Sequence, residues 1–179
     1  MSQYTERRKS ILINKYGLTS DDIWVKSQDS FDIILVKRTG IDKIALKQGI
    51  VFGKPEIITT PYGDSINATA IIPVGLIGAG NPVHSVASAN PDNCKITTRY
   101  PEMALKRAKH RGVLEYENLY SLNIYGEEES DSWNDLPEVS SDEFIDSALK
   151  EYDESNKRSK RVSKKDTVPK QENTSKRKA

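Results

Sequence analysis

PEMALKRAKHRGVLEYENL, residues Pro101–Leu119, carries two patterns at once. Proline is favoured at the first helical position and Glu102 puts an acid where the helix dipole favours one, so a helix is expected to start at Pro101. Leu105, Ala108, Gly112, Tyr116 and Leu119 recur at spacings of three and four, which lines them along one side. The small residues Ala108 and Gly112 would let that side lie close to a sheet. Lys106, Arg107, Lys109, His110 and Arg111 fill most of the remaining circumference. A long basic helix, clamped by its small apolar side, is the expectation.

Upstream, the pattern has strand spacing. Val51–Thr60 and Ser65–Val74 are rich in Ile, Val and Thr, and Pro61-Tyr62-Gly63-Asp64 between them has turn chemistry, so the pair reads as a β-hairpin. His84–Ala89 supplies a third strand after the glycine-rich connection Gly75–Pro82, and Asn90–Asn93 reads as a turn. Nearer the start, a short N-terminal helix is expected with Thr5 as its cap, Ile11 and Leu12 buried and Gly17 as its stop. Phe31–Val36 reads as a strand, hairpinned to Ile23–Lys26. Thr39, three residues before Asp42, reads as the cap of a helix that ends at Gly49. The plan is α+β: an antiparallel β-meander with the basic helix packed across it. Beyond Asn118 the chain reads as irregular and acidic, with one amphipathic helix at Ser141–Tyr152.

Charge divides the 179 residues into three blocks that the net charge of +1 conceals. Residues 1–126 hold 16 Lys and Arg against 12 Asp and Glu and read as the folded core. Residues 127–154 hold 12 acids against Lys150 alone, an acidic segment with a short helix. Residues 155–179 hold 10 bases and 2 acids and only three apolar residues, so they are expected to be a disordered basic tail. Such a tail attracts nucleic acid or an acidic partner, or acts only as a solubilising terminus. A single cysteine, Cys94, excludes a disulfide scaffold or a multi-cysteine zinc site, and Met1–Ser10 lacks a signal-like leader, so a cytoplasmic chain is expected. The longest apolar stretch, Ala70–Val83, is too short to span a bilayer and is broken by Pro73, Pro82 and glycines, so no membrane is expected among the partners.

The residues that could carry catalysis do not assemble into a motif. Cys94 lacks a recognisable base, His84 and His110 lack ligand spacing, and Gly75–Gly80 does not open a helix after a strand in a βαβ unit. Glu127–Glu129 with Asp131 could ligate a hard cation, but adjacent acids more commonly form a solvated face. The expectation is a non-enzyme with no cofactor and no metal.

Ser85–Asp131, SVASANPDNCKITTRYPEMALKRAKHRGVLEYENLYSLNIYGEEESD, resembles the single-strand annealing proteins of phages and mobile elements, the superfamily of RecT/Erf-like and Rad-type annealers. Arg38–Ala45 resembles the short helix that precedes the sheet in the same proteins. The resemblance implies single-stranded DNA lying in a positive groove beside the basic helix, ATP-independent strand annealing in DNA recombination, and homo-oligomers in the form of rings or filaments. It implies backbone contacts from Lys106, Arg107, Lys109 and Arg111, with Lys43 and Arg99 as weaker candidates. The C-terminal tail would meet a host single-strand-binding protein or a phage exonuclease.

A different reading makes the chain a non-enzymatic adaptor, whose charged C-terminal segments recruit replication or recombination partners while the core acts as scaffold. The opposite signs of neighbouring blocks also suggest that the acidic segment folds back on the basic tail or on the DNA groove as an intramolecular competitor.

Overall fold

The structure, a computed structural model, describes residues 3–28, 31–78, 81–94, 99–130 and 145–154. Its element order is α1 (Gln3–Tyr16), β1 (Ile23–Gln28), β2 (Phe31–Val36), α2 (Arg38–Gln48), β3 (Ile50–Phe52), β4 (Glu56–Tyr62), β5 (Ser65–Leu76), β6 (Val83–Ala89), α3 (Tyr100–Tyr116), β7 (Ile124–Gly126) and α4 (Glu127–Ser130). A further helix covers 145–154. The chain is therefore α+β, with antiparallel sheets as the dominant pairing.

The meander is built on β5. β4 pairs with it antiparallel from Glu56↔Ile71 to Tyr62↔Ser65, and β6 pairs with it from Ala68↔Ala89 to Val74↔Val83. The first hairpin strand is not continuous as its sequence suggests. β3 pairs with the end of β5 (Phe52↔Val74), and the register slips by one residue across 53–55. Pro73 sits opposite this slip: its carbonyl accepts from Gly53 N at 2.8 Å, and because it has no N–H to return the bond, the β3 register ends there.

Alternation along β5 sends Ala68, Ala70, Ile72 and Val74 to the buried face, and Ala87 and Ala89 of β6 join them. α3 lies across this face and buries Ala104, Ala108 and Gly112 against it. Small residues on both sides permit a close approach: a Cβ on Gly112 would stand 2.4 Å from Val74 Cγ2. The clamp that the helix sequence implies is present. Leu105 and Tyr116 are only half-buried, however, and Ala104, Val113 and Leu114 complete the buried side.

A second sheet holds β1, β2 and β7, with β1 antiparallel to β2 and β7 parallel to it (Ile34↔Ile124). β7 lies in the stretch read as irregular from sequence. Its entry needs Asn118 and Asn123 in the left-handed region, at φ 53° and 52°, which asparagine tolerates better than most residues. Arg8 of α1, 1% exposed, ties this junction together. It donates to the carbonyls of Leu122 (3.0 Å) and Asp32 (2.9 Å) and to Thr5 Oγ1 (3.2 Å). Thr5 is thus inside the helix rather than its cap, and donates to Asp32 Oδ2.

α2 starts two residues earlier than the Thr39 signal suggests, with Lys37 as its cap, and stops at Gly49, φ 68°. Thr39 bonds Asp22 instead, a buried carboxylate that also accepts from Thr19 and Lys43. The Lys43 bond, helped by Thr19, outweighs burial and holds the Asp22 carboxyl well below the usual range.

The hydrophobic core does not stop at Gly126. Ile145 and Leu149 of the 145–154 helix belong to it, and Ala148 and Tyr152 pack beside them. Arg7 pairs with Asp153 at 2.6 Å, and Tyr16 Oη meets Tyr152 Oη at 3.1 Å, so part of the acidic segment docks on α1. The amphipathic helix expected at Ser141–Tyr152 matches this element from residue 145 on; residues 141–144, like the tail at 155–179, lie outside the described residues. No helix among the described residues is long and apolar enough to cross a membrane.

Candidate nucleic-acid interface

The basic residues of α3 separate into two sets by helical angle. Arg107 and Arg111, four apart, share the flank that faces the outer edge of β6. Arg107 Nη1 donates to the Ser88 carbonyl (3.1 Å) and to Asn93 Oδ1 (2.8 Å), and its Nη2 donates to the Asn93 carbonyl. Arg111 Nη1 reaches the Val86 carbonyl at 3.4 Å. The two guanidinium groups thus cap carbonyls that an edge strand would otherwise expose to a pairing partner.

The turn of helix that follows β7 closes over the same flank. Arg111 Nε donates to Glu129 Oε1 at 2.9 Å, and that carboxylate also accepts from Tyr120 Oη (3.0 Å) and Gly126 N (3.1 Å). His110, almost wholly buried, lies between Glu128 (3.5 Å) and Asp42 (3.6 Å). Burial would raise the Glu128 carboxyl, but contact with His110 and the charges of His110, Arg107 and Arg38 outweigh it and hold it below its ordinary value. Burial, followed by the charge of Glu129, pushes the Tyr120 phenol up. Arg107, His110, Arg111, Glu128 and Glu129 line a cavity of about 60 Å³, and Arg111 and Glu129 also border an open trough of about 420 Å³ with His84 and Val86. Arg107 is held by the Ser88 and Asn93 oxygens and Arg111 by Glu129, so the guanidinium groups of this flank are engaged internally even though Arg111 is 43% exposed.

The other candidates are distributed differently. Lys106 and Lys109, three apart, are half-exposed and have no carboxylate within ion-pair distance among the described residues. Lys109 Nζ lies 5.4 Å from the centroid of the Phe52 ring. Lys43 is committed to Asp22 at 2.7 Å. Arg99, which caps α3, is 3.9 Å from Glu102 with both side chains mostly exposed, a pairing worth little in water.

Of the six basic candidates, then, Arg107, Arg111 and Lys43 are engaged internally, and Lys106, Lys109 and Arg99 are presented to solvent. The helical spacing alone separates 107 and 111 from 106 and 109. The partners Asn93, Tyr120 and Glu129 carry no such signal in the sequence. No group of three or more metal-ligating side chains comes together among the described residues. The chain matches no family model, no curated protein and no solved structure.

Proposed function

We propose that this chain binds single-stranded DNA along the lysine side of α3 and promotes annealing of complementary strands without ATP, acting as an oligomer in recombination of a phage or mobile element. The observation that carries this reading is the pair Lys106 and Lys109, held at fixed positions on a helix clamped to the sheet and without an ion-pair partner among the described residues. Ammonium groups so placed contact phosphates and release the counterions condensed on the strand, a term that does not depend on base sequence. Arg99 extends the same row toward the start of the helix. Arg107 and Arg111 act as positioning residues: they fix α3 and the 90–93 turn, and so the orientation of the lysines.

Alanine at both Lys106 and Lys109 tests the reading in the full chain. Each lost phosphate contact should weaken binding about equally across sequences and reduce the slope of log affinity against log salt by about 1. A well-folded double variant with parental affinity and slope for single strands at low salt would reject the assignment.

The Glu127–Glu129 turn bears on the same surface through charge. Glu128→Gln removes a negative charge beside α3 and leaves the Glu129 contacts to Gly126 and Tyr120 in place. The variant is expected to bind single strands a few-fold more tightly in dilute buffer, with the difference fading as salt screens the cluster. Titrations at two ionic strengths measure it, and equal affinities at the lower one would rule out electrostatic competition from this turn.

A further inference from the structure

Between α3 and the β3–β4 edge the surface carries apolar groups as well as cations. Phe52 is in register with buried Val74, and paired residues of an antiparallel ladder share a face, so Phe52 lies on the side of the sheet that α3 covers. It is nonetheless 37% exposed. Ile57, in register with buried Ala70, lies on the same face and is 42% exposed. The register slip at 53–55 separates the two, and all seven residues of β4 are exposed. The result is a strip with an apolar floor of Phe52 and Ile57 and a cationic side on α3, where Lys109 is already beside the Phe52 ring and Lys106 lies one turn back along the helix.

A cationic wall over an apolar aromatic floor is complementary to a polyanion with exposed flat bases. A duplex offers phosphates but keeps its bases stacked on each other; an unpaired strand offers both. We propose that Phe52 is the platform on which an unpaired nucleobase stacks, with Ile57 extending the floor and Lys106 and Lys109 holding the flanking phosphates. This rests on the strand-binding reading of α3 given above and adds to it the group that tells a single strand from a duplex. Lys54 and Glu56, both exposed, flank the strip and leave it near neutral at that end, so the lysines of α3 dominate its charge.

The experiment compares the parent chain with Phe52→Leu and Phe52→Trp on an oligothymidylate, on an abasic strand of the same length and on a duplex. Stacking on an aromatic side chain is sequence-tolerant, and its loss typically weakens binding by about tenfold or more. Phe52→Leu should therefore bind oligothymidylate about tenfold more weakly with an unchanged salt slope, Phe52→Trp should recover the affinity, and the two variants should not differ on the abasic strand or the duplex. The parent itself should prefer oligothymidylate to the abasic strand. Equal affinity of the parent for those two strands overturns the platform whatever the variants do, and so does a folded Phe52→Leu variant that binds like the parent. Failure of the underlying reading looks different: the Lys106 and Lys109 alanine variant would then also bind as the parent does.

Discussion

Gly112→Val is expected to destabilise the domain by roughly 3 kcal/mol or more, although glycine is a poor helix former and valine a better one. On propensity alone a side chain at this interior helical position would stabilise by a fraction of a kcal/mol. Packing has the opposite sign and is larger. Even the first added carbon would stand 2.4 Å from Val74 Cγ2, a distance that real Cβ contacts do not reach, and a tight 3.1 Å from Ser85 Cβ, so α3 must lift from the meander or the strands must shift. Thermal or urea unfolding measures the loss, and a Gly112→Ala variant should fall between. The mechanism makes a sharper claim. Because Val74 supplies the nearest atoms, Val74→Ala combined with Gly112→Ala should be less destabilised than the two single changes added together. Strict additivity would show that the close approach of helix and sheet is not what excludes a side chain here.

Arg8→Met should be at least as damaging. Methionine retains an unbranched stem in the buried site but removes the donors that serve the carbonyls of Leu122 and Asp32 and the hydroxyl of Thr5. Those acceptors lose a buried charged donor, and removing one member of a buried charged network typically costs roughly 3–5 kcal/mol. For a chain of this size that corresponds to a fall in Tm of roughly 6–20 °C. Circular dichroism on heating checks it. A Tm within a degree or two of the parent would mean that the guanidinium does not hold α1 to β2 and the Tyr120–Leu122 turn. Neither substitution touches Lys106 or Lys109, so at temperatures where the variants remain folded their affinity for single strands should stay close to parental.

How much of this was legible beforehand depends on the range of the interaction. The meander follows from alternation and turn chemistry within Val51–Ala89, and the clamp follows from Ala108 and Gly112 at a spacing of four, because both are local patterns that a period reveals. The 53–55 slip needed only one extra residue and left no mark in the composition. β7 escaped notice because three residues, Ile124–Gly126, are too few to show a period, and their strand character comes from β2, ninety residues away. The basic row on α3 was visible as a row. Its division into a structural flank and a solvent flank was not, since it depends on Asn93, Tyr120, Glu128 and Glu129 being folded against it. The acidic segment misled for a related reason: its charge set it apart from the core, while Ile145 and Leu149 at a spacing of four attach part of it to that core.

The parallel pairing of β7 with β2, and the docking of residues 145–154 on α1, also set a timetable for the nascent chain. The meander and α3 are consecutive and mostly local, so they can associate as soon as Tyr116 has left the ribosome. The N-terminal sheet and helix must wait for segments made about a hundred residues later. Closing such distant contacts is the slow part of folding. Until then the amino-terminal third has no finished core of its own and keeps the apolar side chains of β2 without their final cover.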